Sequence, residues 1–139
     1  MPSIDHEIKI NASTEAVRAA LTTNAGIAGW QTPHVEGDGA VGSTWRFIFD
    51  GRPEFAWRID EAGPSRIAWT CTAGPGDSAG TEAVFTIATA SDGKTHLLLG
   101  HTGWADTDGN FRKCNTIWGV LLHHLKQAVE TGAPAPAFP

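Results

Sequence analysis

Two side chains of this sequence offer chemistry on a face that is otherwise apolar: His101 and Cys71. In residues 97–101 the alternation of Leu97, Leu99 and His101 with Leu98 and Gly100 puts the imidazole on the greasy side of a strand. Ile67, Trp69 and Cys71 share a face in the same way. An imidazole in such surroundings can bind a ligand oxygen or move a proton. The alternative is a buried ring satisfied by a backbone carbonyl or an indole N–H. A thiol in the same place behaves chiefly as a small hydrophobe. General acid–base catalysis needs titratable groups on the same face. By strand parity, however, the carboxylates Asp60 and Glu82 and the guanidinium groups Arg46, Arg58 and Arg66 point to solvent. His101 is therefore the best polar candidate, with Asn115, at the rim of a helical stripe, as a second source of an amide.

Other motifs carry less. Gly37-Asp38-Gly39-Ala40-Val41-Gly42 has the GxGxxG spacing of a dinucleotide loop, but a strand pattern follows it rather than the helix N-terminus that holds a pyrophosphate. It reads as a glycine-rich turn. His96 and His101 fall on opposite faces of one strand, and the adjacent His123 and His124 diverge on a helix. With no HExxH and no CxxC, neither a metal nor another cofactor is expected.

The aromatic composition is the more informative signal: six Trp, six Phe and no Tyr in 139 residues. Trp45, Trp57 and Trp69 share sheet-face parity with Phe47, Phe55 and Phe85, and Trp118 faces them from a helix. Rings on one buried surface either fill a core or line a pocket for a flat or apolar ligand. Trp45, Phe47, Trp57, Trp69, Cys71, Phe85, Leu99, Trp118 and Leu122 are the expected walls, with His101 the polar anchor and Asn115 beside it. Trp30 and Trp104, near element ends, are expected at the mouth. Without a phenol, polar work in such a pocket falls on indole N–H groups and His101.

These side chains are positioned by a simple order of elements. Residues 3–10 alternate as a half-buried strand, and Ser13 then caps a short helix carrying Val17, Ala20 and Leu21. A second short turn of helix holds Ile27 and Trp30. From residue 35 to 101 the chain reads as consecutive strands joined by Gly-, Pro- and Asp-rich turns. At roughly 100° per residue, Phe111, Cys114, Trp118, Leu121, Leu122, Leu125 and Val129 fall on one helical stripe that ends at Gly132. Only this helix is large enough to cover the sheet. The expected fold is α+β: a helix-grip with a curved antiparallel sheet of about seven strands around the long C-terminal helix, and two short helices after the first strand. Residues 1–132 form one domain, and the proline-rich residues 133–139 are expected to be a mobile tail.

In their order along the chain these residues resemble a known family. Ile8-Lys9-Ile10-Asn11-Ala12-Ser13-Thr14-Glu15-Ala16-Val17 resembles its strand-into-helix entry, and Gly29-Trp30 its second short helix. Gly42-Ser43-Thr44-Trp45-Arg46-Phe47 is similar to a glycine-led strand. Trp57 to Trp69 is similar to a hairpin with a Pro-x-Arg-Ile turn, here Pro64-Ser65-Arg66-Ile67. His101-Thr102-Gly103-Trp104, Trp118 and Leu125-Lys126 complete the likeness. It is to the START/Bet v 1-like superfamily (SRPBCC), in the branch of the C-terminal domain of activators of the heat-shock-protein-90 ATPase. The resemblance implies binding of a small hydrophobic molecule, a lipid or polyketide-like metabolite. Its alternatives are a polyketide cyclase or dehydratase using His101, and a module that binds a chaperone partner. A homodimer is left open.

Composition narrows the partners. A formal charge of −5 and a pI near 5.6 suit a phosphate backbone poorly, so nucleic acid is not expected. No apolar run approaches a membrane span, and no signal-peptide pattern opens the chain. Cys71 and Cys114 read as free thiols of a reducing, cytoplasmic setting, a disulfide between them being the alternative.

Overall fold

The structure is a computed structural model that describes residues 2–139. Strand β1 (Ile4–Ile10) leads into helix α1 (Thr14–Thr22), where the Ser13 side chain accepts from the Ala16 N–H at 3.1 Å. That bond satisfies one of the orphan donors of the first turn. Thr23 caps α2 (Asn24–Ala28) in the same manner. Six strands follow: β2 (Val35–Glu36), β3 (Thr44–Phe47), β4 (Phe55–Ala62), β5 (Arg66–Ala73), β6 (Glu82–Thr89) and β7 (Thr95–Thr102). Helix α3 (Asn110–Thr131) closes the chain and stops at Gly132, whose φ of 70° needs no Cβ to be accommodated. This is the expected helix-grip arrangement.

All seven strands join one antiparallel sheet in the order β1-β7-β6-β5-β4-β3-β2. The chain meanders from β2 to β7, and β1 then pairs with β7 at the far edge. Two register shifts interrupt the β4–β5 pair, one between Ala56 and Trp57 and one between Ile59 and Glu61. Irregularities of this kind bend a sheet and increase its twist, which lets it wrap a helix. The second shift leaves Asp60 out of the ladder, and its carboxylate stays on the solvent side with Arg58 and Thr70.

The inner face carries the aromatic rows. Across it Ile4 pairs with His101, His101 with Ala83, Ala83 with Trp69 and Trp69 with Ile59, while Trp45 pairs with Trp57. Leu121, Leu122, Leu125 and Trp118 of α3 pack onto this face and are buried with it. The glycine-rich turn before β3 has a packing reason. A Cβ on Gly37 would come within 2.7 Å of the Trp45 ring, and one on Gly39 within 2.2 Å of the Thr22 carbonyl oxygen. Those glycines let the loop lie flat on a tryptophan.

Residues 133–139 are hydrogen-bonded to the chain after α2. The N–H groups of Ala135, Ala137 and Phe138 donate to the carbonyls of Gly29, Trp30 and Gln31 at 2.7, 3.0 and 3.0 Å. Prolines 134 and 136 stop the helix, yet they also hold the segment extended, so that it lies along the end of α2 as a strap. Among the described residues no helix is long and apolar enough to cross a membrane.

Candidate functional site

Between α3, the free end of the β3–β4 hairpin and the strap lies a cavity of about 90 Å³ that opens to the surface. Phe47, Phe49, Phe55 and Trp57 line the sheet side. Cys114, Ile117, Trp118 and Leu121 line the helix side, and Phe138 of the strap stands at the mouth. Phe55 and Trp57 stack nearly parallel, with ring centroids 6.1 Å apart and planes 8° apart. Such a pair presents a flat wall. Gln31, Arg52 and His101 are the polar groups among the lining residues, and no carboxylate is among them.

His101 is wholly buried, and its hydrogen bonds define what it can do. The Thr81 hydroxyl donates to the Ser78 carbonyl at 2.6 Å, so its oxygen is left to accept from His101 Nε2–H at 2.7 Å. The Trp118 indole, which can only donate, gives its N–H to His101 Nδ1 at 2.9 Å. The network thus assigns a neutral ring with its proton on Nε2. Protonating Nδ1 would set one N–H against another. Burial pushes the imidazole down to about 4, in agreement with that geometry. Neither ring nitrogen is free to take a proton from a ligand.

The thiols offer no nucleophile either. Burial pushes Cys71 and Cys114 up to about 11, so both are protonated at neutral pH. Cys71 points its Sγ–H at the Ala73 carbonyl, 3.3 Å away. Among the described residues no group of three His, Cys, Asp or Glu side chains is placed to hold a metal ion.

Of the walls expected from sequence, Phe47, Trp57, Trp118 and His101 meet at the cavity. Trp45, Trp69, Cys71, Phe85, Leu99 and Leu122 share the face but lie in the packed core beside it. Trp69 is enclosed by Phe47, Trp57 and Phe85 at centroid distances of 6.2, 5.9 and 4.9 Å. Asn115 is exposed, where its Oδ1 meets His6 Nε2 at 2.9 Å. Trp30 and Trp104 do not frame the mouth, for both are fully buried pillars. Trp30 donates to the Ala20 carbonyl at 2.8 Å and Trp104 to the His101 carbonyl at 3.2 Å.

Gln31, Arg52 and Phe138 were not legible in the sequence. Gln31 follows the anchored Trp30 and is turned inward, leaving it 4% exposed. Its backbone is used, donating to Ile27 and accepting from Phe138. Its side-chain amide has no hydrogen-bond partner among the described residues, although it borders the cavity. No pattern signals this, because glutamine near a helix end normally faces solvent.

A curved sheet gripping a C-terminal helix, with an aromatic cleft left between them, defines a START/Bet v 1-like domain built to bind a ligand or a partner. Over residues 11–130 the sequence matches the family described as Activator of Hsp90 ATPase homolog 1-like protein, and the chain belongs to that family. It is similar to the Aha1 of Colwellia psychrerythraea, solved in solution as a dimer: 36% identity over 95% of this chain and 98% of that one, TM-score 0.86. A Mesorhizobium loti protein shares the fold at 19% identity, covering 94% and 98% of the two chains, with TM-score 0.82. DynU16, from the dynemicin biosynthetic locus, shares it at 18% identity and TM-score 0.78, over 95% of this chain and 48% of that one. No curated protein matches the chain.

Proposed function

We propose that the domain binds a small, flat, largely apolar molecule in the aromatic cleft between the sheet and α3. One observation carries the reading: an open cavity lined almost wholly by aromatic and aliphatic side chains has the amide of Gln31 on its wall. That combination offers flat surfaces for a ring and one polar contact to orient it. The size favours a ring over a lipid, since about 90 Å³ is well below the roughly 300–1,000 Å³ of sites that engulf larger ligands. A polyketide-like metabolite fragment therefore fits this reading better than a long acyl chain. A cyclase or dehydratase needs a free base, and His101 has both nitrogens engaged, which favours binding over turnover. Two buried free thiols are in keeping with a cytoplasmic setting.

Calorimetric titration with 2-naphthol and, separately, with lysophosphatidylcholine tests the proposal. Saturable heat is expected from 2-naphthol alone. Binding of only the lysolipid overturns the flat-ligand reading, and silence from both overturns ligand binding in the cleft.

Association with a chaperone ATPase or with a second copy of the chain is a second reading. Its support is the family description and the dimeric state of the Colwellia relative at 36% identity. Sedimentation velocity across a wide concentration range checks the dimer. A species that stays at 14.7 kDa throughout overturns it.

A further inference from the structure

The chain holds six arginines, and five have hydrogen-bonding or ion-pair partners. Arg46 bridges Glu36 and Glu54, Arg58 binds Asp60, Arg66 binds Glu61 and Arg112 binds Asp108. Arg18 donates to the carbonyls of Ala62 and Gly63. Among the described residues Arg52 alone has no acid or carbonyl on its guanidinium, and even Asp50, two residues away, makes no ion pair with it. Instead the guanidinium lies 5.0 Å over the ring of Phe138. That ring in turn meets Phe49 edge to face at 5.1 Å. The mouth of the cleft thus already holds an aromatic ring beneath an unpaired positive charge, and that ring belongs to the strap.

Size then matters. An apolar cavity that accepts benzene measures roughly 150 Å³, more than the volume open here. A ring of that size therefore seats fully in the cleft only if a lining group leaves. Gln31, Phe49, Arg52 and Phe138 are the lining side chains outside the sheet and helices, and Phe138 is the one on the strap, which three backbone bonds hold. A ring that replaces Phe138 inherits the edge contact with Phe49 and the guanidinium above, and comes to lie in the cleft whose wall carries the Gln31 amide. A carboxylate on such a ring would complete Arg52 with a charge-assisted hydrogen bond.

We propose that the ligand is a small aromatic carboxylate whose ring displaces Phe138 and whose acid group is held by Arg52 beside Gln31. The inference rests on the cleft-binding reading above and names its ligand class.

The test is calorimetric titration with 2-naphthoate and with 2-naphthamide, its neutral counterpart. The naphthoate binds the wild type more tightly. Arg52→Gln weakens naphthoate binding ~10-fold and leaves the naphthamide within about twofold. Phe138→Ala strengthens both ~10-fold by removing the competing ring. Phe138→Leu, which keeps an apolar side chain on the strap, moves both affinities the same way and serves if the alanine variant unfolds. Arg52→Gln without effect on naphthoate, while both probes bind, overturns recognition of the acid and leaves cleft binding intact. Unchanged affinities in both Phe138 variants overturn the displacement. If neither probe binds the wild type or the Phe138 variants, the cleft-binding reading itself fails and takes this inference with it.

Discussion

Between pH 6.5 and pH 4 the protein is expected to lose about 3 kcal/mol of folding stability through His101 alone. In the unfolded chain the imidazole takes up a proton near its ordinary value of 6.5, whereas in the folded chain burial delays this to about 4. Across that window the unfolded state binds more protons, so stability falls as pH falls. Above pH 6.5 both states are neutral at this ring, and the contribution is fully present. The carboxylates act in a lower window. Asp92 is held below its ordinary range by the Lys94 N–H and by Lys9, and Glu130 by Lys126 and the Asn11 N–H, so they lose these partners only as the pH drops further. His101→Gln should flatten the profile between pH 6.5 and 4 while lowering stability at neutral pH, because the Trp118 and Thr81 contacts are disturbed. Urea midpoints taken in steps of pH measure both effects. Parallel profiles for the two proteins would contradict the neutral, doubly bonded ring.

Trp57→Ala carries the second large effect. The indole is 4% exposed and joins three parts of the site: it stacks on Phe55 and packs against Trp69 and His101 at 5.9 and 5.4 Å. Its removal leaves a void that neighbouring strands cannot close, because Trp45 and Cys71 are held opposite it by the ladder. Large-to-small changes of this kind cost about 3–5 kcal/mol. For a domain of this size that is a fall of roughly 10 °C or more in thermal midpoint. Binding of 2-naphthol should disappear with it, since the flat wall is gone. Trp57→Phe should keep much of the stability and weaken the ligand less. A loss of under about 1 kcal/mol for the alanine variant would show that the ring is not part of the packed core.

Strand alternation and the helical stripe were enough to place His101, Trp57, Phe47 and Trp118 on facing surfaces, since both depend only on backbone period. Parity assigns a face but not a depth. Trp69 and Phe85 have the same parity as Trp57, yet they are enclosed by neighbouring rings, whereas Trp57 also borders the cleft. Nor does parity reach the parts built from irregular chain. Gln31 is turned inward by the anchoring of Trp30 under α1, a long-range contact with no local signature. Phe138 arrives on a strap whose three prolines read equally well as a loose end. Arg52 gains its interest from what the other arginines do, which only the folded arrangement shows. The glycine spacing that imitates a nucleotide loop is explained by Trp45 beneath it, a contact invisible in the motif.

Nuclear Overhauser contacts from bound 2-naphthol to assigned side chains test whether the cleft beside α3 is a binding site. Contacts are expected to the Trp57 and Trp118 rings and to the Gln31 side-chain amide, with shifts confined to the cleft and the strap. Contacts instead to the outer sheet face around Val84 and Leu98, or none at saturating probe, would contradict it.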